Sequence, residues 1–192
     1  MSVGETMSTY NWTSRDLETM PDDGKLYEVI GGELYVSRQP HYNHQNVCVK
    51  ITTLLELWNQ QMHLGATYYT PGLIFSDDDD VVPDLAWISH ERLAMATQPD
   101  GKFHSAPELV VEVLSPGEIN ERRDRETKLK LYSRRGVLEY WIVNWRTRQI
   151  EVYRREEMAL KQVGIVYEND VLQSPYLPGL RFQIREVFAG II

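Results

Sequence analysis

Asp84 lies within VVPDLAWI and Glu112 within ELVVEVL, two apolar runs that read as buried strand. An ionised carboxylate in such a place is costly unless something compensates it. An arginine, a retained proton, or a divalent cation held between the two acids would each serve. The plain alternative is a structural ion pair. Alternation along a strand puts Val110, Glu112 and Leu114 on one face and Leu109, Val111 and Val113 on the other, so Glu112 projects from a defined side. A lysine joins the pair. With Lys128 at zero on a wheel of about 100° per residue, Leu131 falls at about 300°, Tyr132 at about 40° and Leu129 at about 100°. Lys128 is therefore central to the apolar arc, where it points back toward the sheet, rather than a lysine snorkelling at its edge. Lys130, at about 200°, faces water. Two acids and a lysine are the set that metal-assisted phosphodiester hydrolysis requires. The acids hold Mg²⁺, the metal acidifies a water and polarises the phosphate, and the ammonium stabilises developing charge.

The elements that must position these residues can be read along the chain. A short helix is expected over 13–23, opened by Thr13 and Ser14 and ended by Pro21. KLYEVIGGELYVS reads as a tight hairpin about Gly31-Gly32. Val47, Ile51, Leu54, Leu55, Trp58 and Met62 recur at helical spacing and predict a long helix over roughly 43–63 with one apolar face. TYYTPGLIFS and VVPDLAWIS read as strands about an acidic loop, Asp77 to Asp80, taken as solvated because it lacks the alternating ligands and glycine of a calcium loop. PELVVEVLSP is a strand covered on both faces. A charged helix over 118–135 stops at Gly136. VLEYWIVN is a second buried strand, RQIEVYRRE and LKQVGIVYE continue it antiparallel, LPGL turns, and IREVFAGI closes as a helix. The reading is a single α/β domain over residues 1–192, with a central mixed sheet flanked by helices.

The 42% apolar and 25% charged residues are those of a globular chain. Its net charge of −8 is unevenly spread. Residues 1–100 carry 5 basic and 15 acidic side chains, residues 101–192 carry 15 and 13, and seven of the basic ones crowd into 122–135. Most of that stretch reads as a solvated helix laced with ion pairs. The lone Cys48 excludes a disulfide scaffold and a cysteine-built zinc site, and reads as a small core residue in a reducing compartment. His41 and His44 stand at i,i+3 without an accompanying cysteine and do not amount to a zinc site, although His44 can lie near the cleft. No run of 18 apolar residues and no export signal is present, so a cytoplasmic protein without a membrane span is expected.

PDLAWI, ELVVEVLSP, RDRETKLKLYSRRGVLEYWIVN and LPGLRF together resemble the Uma-two-type restriction endonucleases of the PD-(D/E)XK nuclease superfamily, abundant in cyanobacteria. The likeness runs from YEVIGGELYVS to the last helix and is most specific from Pro107 to Val143. It implies a restriction-endonuclease-like core and a Mg²⁺-dependent endonuclease acting on DNA, with Mn²⁺ as a substitute ion. Carried over by position, Pro83-Asp84 supplies the Pro-Asp and Glu112 the second acid, both as metal ligands. The lysine expected two residues later is replaced by Leu114, and Lys128 from the following helix supplies it. An additional N-terminal acid is assigned to Glu33, after the hairpin glycines, in preference to Glu28. The rival reading is a catalytically inactive homodimeric binding module of the same fold.

Overall fold

The computed structural model describes residues 10–191. Helix α1 (Ser14–Leu17) is one turn, capped by reciprocal bonds between Thr13 and Asp16, and is shorter than the expected 13–23. The chain then forms the hairpin of β1 (Leu26–Ile30) and β2 (Glu33–Ser37). Gly31 and Gly32 turn it with φ of 59° and 77°, the paired positive values that a twist-matched two-residue turn demands. Strands β4 (Leu73–Ser76) and β5 (Asp79–Val81) complete a four-stranded antiparallel sheet, β2-β1-β5-β4.

A larger sheet is built from β3 (Gly65–Tyr69), β6 (Leu85–Ser89), β7 (Leu109–Val113), β8 (Glu139–Asn144), β9 (Gln149–Glu156) and β10 (Ala159–Tyr167). Its order is β10-β9-β8-β7-β6-β3. Strands β7 and β8 pair parallel, whereas the other neighbours pair antiparallel. A parallel pair cannot be closed by a hairpin, and the charged segment supplies the crossover. It runs as α4 (Glu118–Arg122), a π-helical turn (Arg123–Lys128) and α5 (Leu129–Arg135), ending on Gly136 at φ 94°.

Both faces of the large sheet are covered. On one, Val47, Cys48, Ile51 and Leu55 of α2 (Tyr42–Met62) and Val187 and Phe188 of α6 (Ile184–Phe188) pack with Leu109, Val111 and Val113. On the other, Leu131 and Tyr132 of α5 and Ile30, Leu73 and Val81 of the small sheet pack with Val110 and Leu114. The β7 alternation expected from sequence is therefore the partition between the two cores. A short hairpin of β11 (Val171–Gln173) and β12 (Arg181–Gln183) leads into α6. Helix α3 (His90–Ala96) was not anticipated, although Ser89 caps it by accepting from the Arg92 amide at 3.2 Å.

The acidic run departs from the expected solvated loop. Only Asp77 and Asp78 form the turn, while Asp79 and Asp80 enter β5 and are buried, at 0% and 2% exposure. Distant cations compensate them. Asp79 accepts from the Gly31 amide at 2.8 Å and from Arg134 at 2.8 Å, and Arg135 also pairs with it. Asp80 meets the Ser14 hydroxyl at 2.6 Å and Lys102 at 3.1 Å. The Asp79 bonds tie the small sheet to α5, and the Asp80 bonds tie it to α1 and to the segment after α3. Among the described residues no helix is long and apolar enough to cross a membrane.

Candidate active site

In the antiparallel pairing of β6 with β7, Leu85 lies opposite Val111. Asp84 immediately precedes that register and Glu112 immediately follows Val111, so the two acids come together at one end of the sheet, where both line one cleft. The backbone of β7 then aims the first acid, because the Val113 amide donates to Asp84 Oδ2 at 2.7 Å. His44 Nε2 of α2 stands 3.2 Å from the same oxygen.

Lys128 completes the group from the crossover. Its Nζ donates to Glu112 Oε1 at 2.9 Å and lies 2.9 Å from Glu28 Oε1, and the Tyr132 hydroxyl donates to that Glu112 oxygen at 2.8 Å. Lys128 and Glu28 are each 1% exposed and Glu112 is 4% exposed. With Asp84, Asp124 and Arg123 they line a cleft of about 550 Å³.

Asp124, which the charge pattern groups with the solvated residues of this segment, is buried. Asp124 and Lys128, four residues apart, are both buried on the cleft side. The Tyr140 hydroxyl donates to the Asp124 carbonyl at 3.1 Å, which satisfies a backbone group inside the site. Arg123 approaches Asp124 and Glu28 at 3.4 and 3.8 Å and donates to Ser37 Oγ at 2.6 Å.

Four carboxylates at the cleft floor face two cations, so the group would carry two negative charges if every acid were ionised. Burial pushes the Glu112 carboxyl up to about 8; Lys128 opposes that shift, and Asp84, Asp124 and Glu28 add to it. Burial likewise pushes Asp124 up to about 6, against Lys128 and Arg123. Burial disfavours the Lys128 ammonium, but Glu112 and Glu28 outweigh it and hold its pKa above the ordinary lysine value. Glu28 Oε2 is buried without a hydrogen-bond partner. A site with clustered carboxylate oxygens, one of them buried without a hydrogen bond and only loosely approached by Arg123, fits a hard divalent cation.

Asp84, Glu112 and Lys128 thus meet in one cleft; Glu33 does not join them. It sits beside the hairpin turn, exposed, paired in register with Ile30, and its carboxylate accepts from the Tyr35 hydroxyl at 2.9 Å. Glu28 lies two residues further along β1, roughly 7 Å at strand rise, and that displacement brings it to Lys128. Of the two glutamates, Glu28 is the one that reaches the cleft. The available signal was its neighbourhood: Glu28 falls inside the apolar YEVI run, whereas Glu33 follows two glycines.

The pattern of the Uma2 family, described as "Putative restriction endonuclease", matches residues 14–185. The chain belongs to the Uma2 family. Among solved structures, this Uma2 chain is similar to the crystal structure described as a "putative nuclease belonging to DUF820 from Anabaena variabilis ATCC 29413". The TM-score is 0.74 over 92% of this chain and 97% of that one, at 16% identity, a likeness of fold. No curated protein matches the chain. The restriction-endonuclease-like core expected from sequence is the fold of this Uma2 protein, a six-stranded mixed sheet flanked by helices.

Proposed function

We propose that this protein is a Mg²⁺-dependent endonuclease that hydrolyses DNA phosphodiester bonds, with Asp84 and Glu112 as metal ligands and Lys128 as the electrostatic catalyst. The observation that carries the reading is the buried ammonium seated between Glu112 and Glu28 in the cleft that Asp84 also lines. Membership of a family described as "Putative restriction endonuclease" supports it. The hydrogen bonds to the two ligand carboxylates fall on Glu112 Oε1 and Asp84 Oδ2, which leaves Glu112 Oε2 and Asp84 Oδ1 to take the cation. When bound, magnesium supplies a Lewis acid for the phosphate and lowers the pKa of a water.

The chain's own groups divide the remaining work. Lys128 offers a positive charge, held from behind by Glu28, at the edge of the position a phosphate would occupy. Tyr132 and the Val113 amide keep the two ligand carboxylates from rotating. Arg123 and Asp124 set the local field. The exposed Arg38, at the mouth of the cleft, is placed to meet a flanking phosphate. Leu114, where the superfamily lysine would stand, is fully buried in the core beneath α5, and Lys128 brings the ammonium from above instead.

The test is cleavage of plasmid and short duplex DNA with Mg²⁺ or Mn²⁺. The expected result is metal-dependent nicking that Glu112→Gln abolishes, since a contaminating nuclease would survive that substitution. Failure of the folded wild type to cut duplex, single-stranded or RNA substrates would refute the reading and favour the homodimeric binding module.

A further inference from the structure

Cys48 stands one helical turn after His44 on α2, and both are buried. Cys48 belongs to the core that includes Leu85 and Val113, the residues following Asp84 and Glu112. His44 Nδ1 is 3.7 Å from Cys48 Sγ, and its Nε2 is 3.2 Å from Asp84 Oδ2. One ligand atom from each of the three lies within 4.8 Å of the other two. A tetrahedral ion with bonds of about 2.0–2.3 Å holds its ligands roughly 3.2–3.8 Å apart. The observed spacing is within side-chain rotation of such a sphere.

We propose that His44, Cys48 and Asp84 form a binding site for a thiophilic divalent ion of the zinc or cobalt class, separate from the magnesium site but sharing Asp84 with it. The donor set decides the class. Thiolate and imidazole favour zinc, cobalt and their neighbours, whereas magnesium takes oxygen alone. The i,i+4 spacing directs the nitrogen and sulfur donors from one helix face, and the fold supplies the oxygen from the start of β6. His44 and Asp84 also line the cleft, which leaves the fourth position open to water. Without an ion, Cys48 S–H to His44 Nδ1 and His44 Nε2–H to Asp84 form a chain that keeps the three groups oriented. Binding forms a sulfur–metal bond and releases the thiol proton to solvent. The site itself does not depend on nuclease activity. One consequence does rest on that reading: while the ion is held, Asp84 is withdrawn from magnesium, and zinc inhibits cleavage.

The probe is Co²⁺, titrated into the full chain after chelator stripping and under reducing conditions. A near-ultraviolet thiolate-to-cobalt charge-transfer band should grow to one equivalent, with the visible bands of four-coordinate cobalt. Zn²⁺ should displace it and Mg²⁺ should not. Cys48→Ala should lose the band entirely while keeping the wild-type circular dichroism. His44→Ala and Asp84→Asn should each weaken Co²⁺ binding by at least about 10-fold, the floor for losing even an outer-shell partner. Absence of a thiolate band in the wild type, or its survival in Cys48→Ala, would overturn the proposal. So would unchanged affinity in both other variants. A protein that cuts DNA with Mn²⁺ but gives no thiolate band defeats this inference and leaves the nuclease reading standing; a band without cleavage does the reverse.

Discussion

Lys128 and Lys130 are two positions apart and differ in environment more than in chemistry. Lys128→Met keeps the buried volume but removes the ammonium between Glu112 and Glu28. Cleavage is expected to fall by about 10²–10³-fold, with circular dichroism confirming the fold. Lys130 is exposed, and Lys130→Met should change cleavage little and only at low salt. Equal losses would show that the helical lysine acts through general charge. The two glutamates of the hairpin separate in the same way. Glu28→Gln should lower cleavage strongly because Lys128 loses half of its anchorage, whereas Glu33→Gln, which disturbs one surface bond to Tyr35, should leave it near wild type.

At the scale of elements, the π turn and the buried acids of β5 are the departures from regular structure that hold the site. The Tyr140 hydroxyl satisfies the Asp124 carbonyl from the neighbouring sheet. Tyr140→Phe removes that bond to a buried carbonyl, and urea unfolding should register a loss of about 0.5–1.5 kcal/mol. Asp79 joins β5 to α5 through Arg134 and Arg135. Removing it in Asp79→Ala leaves the Gly31 amide without its side-chain acceptor and frees two arginines that still reach water, and a loss of about 1–3 kcal/mol is expected. If Asp79→Ala unfolds at the wild-type urea concentration, the strand-to-helix tie carries no stability.

At the scale of the whole molecule, stability should report both the cation and the pH. An ion that binds the native cleft raises the melting temperature by about 5–10 °C when its free concentration is roughly 100-fold above its Kd. Mn²⁺ should produce such a shift, and Asp84→Asn should remove most of it. Beside the raised cleft acids, a further source of pH dependence lies at the start of β8. Burial pushes the Glu139 carboxyl above its ordinary range, against hydrogen bonds from Ser174 and Trp141 and the charge of Arg154. The folded protein therefore holds this proton more tightly than the unfolded chain, and stability from this group falls as pH rises above the unfolded value of about 4.3. The stability difference between wild type and Glu139→Gln should decline over that interval; a difference independent of pH would refute the assignment.

What could be read from residues alone was local. Strand alternation put Glu112 and Leu114 on one side of β7, and the two hydrophobic clusters divide at that strand. Helical phase separated buried Lys128 from exposed Lys130, because both ends of that comparison lie within two residues of one another. The glycine pair set the hairpin, and the long apolar stripe set α2. Groups whose environment depends on a distant segment were not legible. Whether Glu28 or Glu33 reaches Lys128 depends on how the hairpin docks beneath the crossover, roughly 100 residues away in sequence. Asp79 and Asp80 read as a solvated loop because the arginines and lysine that make their burial tolerable come from α5 and the segment after α3. Asp124 falls at about 320° on the same wheel, beside Lys128, but helical phase alone does not say which charges of a packing face a distant strand will bury. Cys48 looked like filler until the fold brought Asp84 to the histidine one turn before it. Local periodicity needs only the chain's own geometry, whereas the compensation of buried charge is decided by which distant strands and helices come into contact.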